Sequence, residues 1–235
     1  MFKQAIIAPS ILSADFMNMQ RAIEELESAG AKYIHVDVMD GHFVPNLTMG
    51  VAFTKQLRKI TNLTLDVHLM VANPLEQLDW FLDAGADILT VHSEVLDEAG
   101  MKNAANRIHE AGAKACVAIK PKTNVDAVKP MIPSLDMVLV MSVEPGFSGQ
   151  SYIAGSEQKV AEIVRMAKAA GTSPLLEVDG GINAKTAKLV AAAGADVLVC
   201  GNAVCAAKSP EAAIAEITSA ANAAAALATN SAKGA

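Results

Sequence analysis

The sequence predicts an α/β fold, a single (β/α)8 barrel, and three observations carry that expectation. The phrase Ala-Gly-Ala, followed by Lys or Asp and then an apolar run, occurs at 29–31, 84–86, 111–113 and 193–195. It reads as helix end, turn and buried parallel strand, with glycine supplying the left-handed residue that closes a helix. The copies stand 55, 27 and 82 residues apart, near two, one and three multiples of about 27, the length of one strand-helix unit. Eight short apolar runs can be counted independently along the chain. The length of 235 residues, 52% apolar and only 4% aromatic, suits one domain with a large aliphatic core. A doubly wound open sheet is the alternative, weakened because no Gly-x-Gly-x-x-Gly follows the first run.

Taken in order, the strands are expected at 5–8, 33–38, 64–69, 87–91, 114–119, 137–141, 175–178 and 197–200. The intervening segments show helical spacing, as in Met19, Ile23 and Leu26, or Val160, Ile163, Val164 and Ala167. The barrel domain is expected over 1–219. Residues 220–235 are dominated by Ala with few bulky side chains to bury, and are expected as a helical extension fraying into a disordered tail.

Composition excludes some function classes. Lys and Arg number 19 against 25 Asp and Glu, for a net charge of -6 with the signs interspersed, so no basic face for nucleic acid is expected. Apolar stretches such as 136–143 are far shorter than the roughly 20 residues a membrane span requires, so no membrane segment is expected. The N-terminal residues lack the long apolar core of a signal peptide, which makes cytoplasm the expected location. Cys116, Cys200 and Cys205 form no Cys-x-x-Cys pair and read as reduced core residues.

In such a barrel, functional side chains gather where strands end and the following loops begin. Ser10 follows the first strand. His35, Asp37 and Met39 lie on the second, His68 and Met70 end the third, His92 and Glu94 end the fourth, and Asp179 ends the seventh. Residues two apart on a strand share a side, so His35, Asp37 and Met39 face together, as do Asp66, His68 and Met70. Two imidazoles and two carboxylates can thus converge as a donor set of two nitrogens and two oxygens, suited to Zn, Fe, Mn or Co as one divalent ion. Each such histidine alone is more simply a hydrogen-bonded core residue. Polar groups ending three separate strands are harder to explain as packing, because a buried charge is costly unless paired or metal-bound.

The later loops are rich in glycine: 144–150 holds Gly146 and Gly149, 179–183 holds Gly180 and Gly181, and Gly201-Asn202 follows the eighth strand. Glycine lets backbone N–H groups approach an anion closely, and the loops after strands seven and eight are a common phosphate position. Other residues point less clearly. His42 and Asn46 line the mouth or cap the next helix, His109 reads as a surface residue, and Lys120 reads as a solvated loop lysine. Met39, Met70 and Met141 are core residues or an adaptable lining. A metal, two carboxylates and a phosphate clamp together suit abstraction of a proton next to a carbonyl, with one carboxylate on each face of the planar enediolate.

At these residues the chain resembles the ribulose-phosphate 3-epimerase family. The resemblance runs to about residue 218 and rests on the motifs APSILSADF at 8–16, HVDVMDGHFVPN at 35–46, LDVHLM at 65–70, MSVEPGF at 141–147 and EVDGG at 177–181. It implies a TIM barrel of the ribulose-phosphate binding type that interconverts D-ribulose 5-phosphate and D-xylulose 5-phosphate. It implies His35, Asp37, His68 and Asp179 as metal ligands, with Asp37 and Asp179 as the acid/base pair. It further implies substrate contacts from Ser10 and His68, Met39, Met70 and Met141 beside the reacting carbon, and phosphate binding by Gly146, Gly149, Gly180, Gly181, Gly201 and Asn202. Two positions depart from the family pattern: Ser148 stands where a glycine is usual, and Asn202 where a serine is common. A related enzyme acting on a hexulose phosphate such as D-allulose 6-phosphate is the alternative, and a barrel that binds a sugar phosphate without turnover is a further one. Members of the family are often dimers or hexamers, and a homo-oligomer is compatible with this chain.

Overall fold

The computed structural model describes residues 4–233, with side chains through 230. Residues 1–3 of the expected barrel domain and 234–235 of the expected tail lie outside the described residues. The chain runs β1 (Ile6–Pro9), α1 (Met19–Ser28), β2 (Tyr33–Met39), α2 (Val51–Ile60), β3 (Thr64–Met70), α3 (Pro74–Asp83), β4 (Ile88–His92), α4 (Glu98–Glu110) and β5 (Lys114–Ile119). It continues through β6 (Met137–Met141), α5 (Ser156–Ala169), β7 (Leu175–Asp179), α6 (Ala184–Ala193), β8 (Val197–Cys200), α7 (Asn202–Cys205) and α8 (Pro210–Lys233). The four repeated glycines, Gly30, Gly85, Gly112 and Gly194, all have φ between 80° and 110°, the left-handed conformation that lets a helix stop and turn into the next strand.

All eight strands are parallel, in the order β1-β8-β7-β6-β5-β4-β3-β2. The ring is closed between its ends by a bridge from Ser10 to His35. Each strand has two buried sides. The side facing the helices carries Ile34, Val36 and Val38 on β2 and Leu65, Val67 and Leu69 on β3, packed with Ile23, Leu57, Leu78 and Phe81 from the helices. The interior side carries a second apolar cluster that includes Tyr33, Ile88, Cys116, Met137, Leu139, Val197 and Val199. This double burial is why parallel strands read as continuous apolar runs. Strand register then sets the height of each polar side chain: His35 lies beside Asp66, Asp37 beside His68, and Met39 beside Met70.

One segment differs from the sequence expectation. The crossing from β5 to β6 contains 3-10 turns at Val125–Ala127 and Ile132–Ser134 where an α-helix was expected. Pro121, Pro130 and Pro133 explain this, since proline removes a backbone donor and blocks a continuous helix. From 220 the Ala-rich stretch is helical, continuing α8 to Lys233. Ala221 is fully buried, and the Asn222 side chain accepts the Ala5 N–H at 2.9 Å.

The same helix corrects the expectation that no segment has the length to cross a membrane. Pro210–Asn230 has that length, with a mean hydropathy of 1.2. Its apolarity comes mostly from alanine. Its larger apolar residues Ile214 and Ile217 are buried with Ala221 in the core that the helices share with the strands.

Candidate active site

The floor of the site is built by strand ends. Ligand-capable atoms of His35, Asp37, His68 and Asp179 lie within 4.8 Å of one another. Asp37 is central: its Oδ2 accepts the Ser10 hydroxyl at 2.6 Å, and its Oδ1 lies 3.4 Å from His35 Nε2 and 3.3 Å from His68 Nδ1. His35 turns its other nitrogen, Nδ1, to Asp66 Oδ2 at 2.6 Å. Its Nε2 is completely buried and makes no hydrogen bond.

This arrangement separates the two carboxyls. Burial opposes ionisation of Asp37, but the neighbouring imidazoles of His35 and His68 outweigh it and hold the Asp37 carboxyl well below the usual range. Asp179, half-buried at the cavity floor, is pushed up to about 6 by desolvation and by the charge of Asp37, against the pull of His35 and His68. Burial disfavours charge on His35, yet Asp66 and Asp37 raise its pKa well above the ordinary value. Two carboxyls with protonation preferences pushed apart can act as a base and an acid at the same pH.

Above this floor lies a cavity of about 570 Å³. It is lined by Ser10, Asp37, Met39, Met70, Met141, Asp179 and the later loops, including Gly146, Gly149, Gly180, Gly181, Gly201 and Asn202. A volume in the range of a few hundred to about 1,000 Å³ suits a small ligand. His35 and His68 lie under the lining and touch the cavity through Asp37. Two glycines explain the shape of the loops. A Cβ on Gly180, whose φ is 122°, would come 2.5 Å from Val143, and one on Gly181, whose φ is 65°, would come 2.4 Å from the Tyr152 backbone nitrogen. Ser148 turns its hydroxyl to Ser13 Oγ at 2.5 Å and to Asn202 Oδ1 at 3.4 Å.

The α6 helix begins beside these loops. Asn183 caps it, accepting the Lys185 and Thr186 N–H groups, and its neighbour Lys185 lines the cavity. The dipole of a helix start and a lysine give an anion a favourable field although the whole chain is acidic.

Several residues play parts that sequence spacing did not show. His92, named only as a strand end, is fully buried and places Nε2 2.8 Å from His68 Nε2, while its Nδ1 meets Glu94 Oε2 at 2.8 Å. Burial pushes the His92 pKa down to about 4 against the pull of Glu94. Burial also opposes the charge on Glu94, but His92 and the donors on Lys120 and Thr123 lower it to about 2. Glu177, one layer below Asp179, is completely buried 3.7 Å from His35 Nδ1, and burial with the nearby Asp66 charge raises its pKa well above the carboxylate range.

The weaker candidates divide. Asn46 ties its loop to the Gly146 carbonyl at 2.8 Å, whereas His42 is exposed and bonded to Asp40 of its own loop. His109 is exposed and meets Asp136 at 2.8 Å. Lys120 sits with Nζ 3.6 Å from the centre of the Phe43 ring. Cys116 and Cys200 are buried, Cys205 is partly buried, and all three are free.

A closed parallel barrel carrying a His/Asp centre beneath glycine loops at its C-terminal mouth defines a (β/α)8-barrel enzyme. The model of the ribulose-phosphate 3 epimerase family matches residues 6–205. The ribulose-phosphate 3-epimerase of Bacillus subtilis is 46% identical over 212 residues, covering 90% of this chain and 97% of that one. The chloroplastic ribulose-5-phosphate-3-epimerase of Arabidopsis thaliana is 44% identical over 203 residues, covering 86% and 72%. The chain belongs to the ribulose-phosphate 3-epimerase family and is an epimerase. Among solved structures, KGPDC from Streptococcus mutans superposes with a TM-score of 0.70 at 14% identity, covering 94% of this chain and 99% of that one. The 3-hexulose-6-phosphate synthase of Salmonella typhimurium gives 0.64 at 21%, covering 92% and 98%. At such identities these two show the shared fold alone.

Proposed function

We propose that this enzyme inverts C3 of D-ribulose 5-phosphate to give D-xylulose 5-phosphate, using Asp37 and Asp179 as its acid/base pair. The observation that carries the proposal is the pair of carboxyls on the floor of one cavity, one held ionised and the other held up to about 6. One carboxylate takes the C3 proton, leaving a planar enediolate. The other, as the acid, gives a proton to C3 from the opposite face. Atoms and charge balance within the sugar and the two side chains, and the reverse reaction exchanges their roles.

His35, Asp37, His68 and Asp179 fit one divalent ion of the Zn, Fe, Mn or Co kind. Four donors lie close together, and the buried His35 Nε2 is a bare donor atom that needs a partner. When bound, the ion supplies positive charge to the sugar oxygens as negative charge develops on them. In this reading Ser10 contacts the reacting end of the sugar from the cavity wall and His68 acts on it from beneath Asp37, while Met39, Met70 and Met141 form an adaptable wall around its carbon. Backbone N–H groups at Gly146, Gly149, Gly180, Gly181, Gly201 and Asn202 suit the phosphate at the other end. The free cysteines suit a reducing, cytoplasmic setting.

The deciding experiment supplies the protein with a divalent ion and D-ribulose 5-phosphate in D2O. Deuterium is expected at C3, together with D-xylulose 5-phosphate. Tight binding of the sugar phosphate without exchange at C3 would overturn the proposal, and faster turnover of D-allulose 6-phosphate in the same assay would reassign the substrate.

A further inference from the structure

We infer that Glu94 and His92 form a hydrogen-bond relay that fixes the tautomer of His68 and keeps its Nδ1 open to a cation. The inference rests on reading His35, Asp37, His68 and Asp179 as a cation site, and follows from where each hydrogen must lie. Glu94 Oε1 accepts the Lys120 backbone N–H at 2.7 Å and the Thr123 hydroxyl at 2.5 Å. Its Oε2 is 2.8 Å from His92 Nδ1. A carboxylate can only accept, so His92 Nδ1 carries the hydrogen. A neutral imidazole has one N–H, which leaves His92 Nε2 an acceptor. The 2.8 Å contact between the two Nε2 atoms then takes its hydrogen from His68. His68 Nδ1, 3.3 Å from Asp37 Oδ1, is thereby the nitrogen that faces the cluster, free to share a proton with Asp37 or to bind an ion in its place.

The relay is rigidly mounted. Lys159 Nζ donates to the carbonyls of Lys120, Pro121 and Thr123 at 3.2, 2.6 and 2.5 Å, fixing the loop whose donors hold Glu94. The Phe43 ring lies on His92 with centroids 4.6 Å apart. His35 shows the shorter version of the same arrangement, with Nδ1 on Asp66 Oδ2 at 2.6 Å and Nε2 bare. Histidine ligands are generally held by such a hydrogen bond from the other ring nitrogen to a carboxylate. His68 reaches its carboxylate through a second imidazole. Glu94 and His92 are therefore positioning residues, acting through His68.

Glu94→Gln tests the polarity of the relay because it preserves shape. The Lys120 N–H cannot reverse, so the glutamine must offer it oxygen and turn its NH2 toward His92 Nδ1. His92 then carries its hydrogen on Nε2, and the hydrogen of His68 moves to Nδ1, against the cluster. Long-range 1H–15N spectra of metal-stripped protein, at a pH where His68 is neutral, should show hydrogen on Nε2 in the wild type and on Nδ1 in the variant. Competition against a chelator should show Zn2+ binding weakened by about 10- to 100-fold in the variant. Thr123→Ala removes one donor to the same oxygen without reversing the chain, and should leave both readouts near wild type. An unchanged tautomer with unchanged Zn2+ affinity in Glu94→Gln overturns the relay, as does hydrogen on Nδ1 in the wild type, a result that needs no variant to fold. A wild type that takes no Zn2+ defeats the cation reading separately, because the spectra decide the relay without metal.

Discussion

The upper and lower halves of the barrel interior use the same side of the same strands for opposite purposes. On β2, Tyr33 packs in the lower apolar cluster, while His35 and Asp37, two and four residues on, belong to the polar centre. On β4 the step runs from Ile88 to Thr90 to His92, and on β7 from Leu175 to Glu177 to Asp179. On β5, β6 and β8 the interior positions stay apolar, with Cys116, Ala118, Met137, Leu139, Met141, Val197 and Val199. Chemistry is therefore confined to a few strands, and the others form its dry wall. Burying so many ionisable groups is tolerable because they hold one another, Asp66 with His35, Glu94 with His92, and Ser10 with Asp37.

The sharpest way to break this division is at the top. Asp37→Asn and Asp179→Asn should each lower kcat/KM by about 10²- to 10⁴-fold while the circular dichroism spectrum stays unchanged. Near-normal turnover in either variant would show that the upper half does not work as a pair. At the bottom, Met137→Ala should cost about 2–5 kcal/mol in denaturant unfolding. Turnover measured well below its melting temperature should stay normal, and a fall in kcat there would mean that the lower half reaches into the chemistry.

A smaller effect concerns pH in metal-free protein. The raised pKa of His35, set by Asp66 and Asp37 against the cost of burial, gives stability that is complete below the unfolded value of 6.5 and is lost as pH rises through the folded value. The raised Glu177 acts in the same direction, since unfolding lets it ionise. His92, pushed down to about 4, is unprotonated in the folded state over this range and opposes the trend only through the end of its unfolded titration just above pH 6.5. From pH 6.5 to 8 each such proton lowers stability by up to about 1.4 kcal/mol per pH unit, a Tm fall of about 2–4 °C for each kcal/mol in a chain of this size. A flat or rising Tm over that range would place His35 in its neutral form. The smallest effect lies at the bottom rim: Asn222→Ala should cost about 0.5–1.5 kcal/mol through the lost bond to the Ala5 N–H, with no change in kcat.

The strands were legible in the sequence because double burial makes each one a β-branched apolar run. The expected ends on β1, β2, β3, β4 and β7 fell one residue short, at Ala8, Val38, Leu69, Val91 and Val178. The ladder goes on for one more residue there, but the side chain becomes Pro9, Met39, Met70, His92 or Asp179. Period-two spacing also placed His35 and Asp37 on one side of β2, and Asp66 and His68 on one side of β3. It could not reveal that His92 touches His68, which depends on the β3–β4 register, nor that Glu94 is held by donors 26 and 29 residues away. At the Ala-rich end the helical extension was legible, but a lack of bulk hid that its first turns would pack. Alanine is also the best helix former, and its small side chain lets α8 lie close against the barrel.

The bridge from Ser10 to His35 joins the first strand to the second, and the Ser10 hydroxyl continues it to Asp37. The seam of the ring is thus sewn with residues of the reaction centre. A chain that has formed every strand pair but this one has a sheet and no catalyst. During refolding, turnover therefore cannot return before this seam has closed, whichever strand pair forms last.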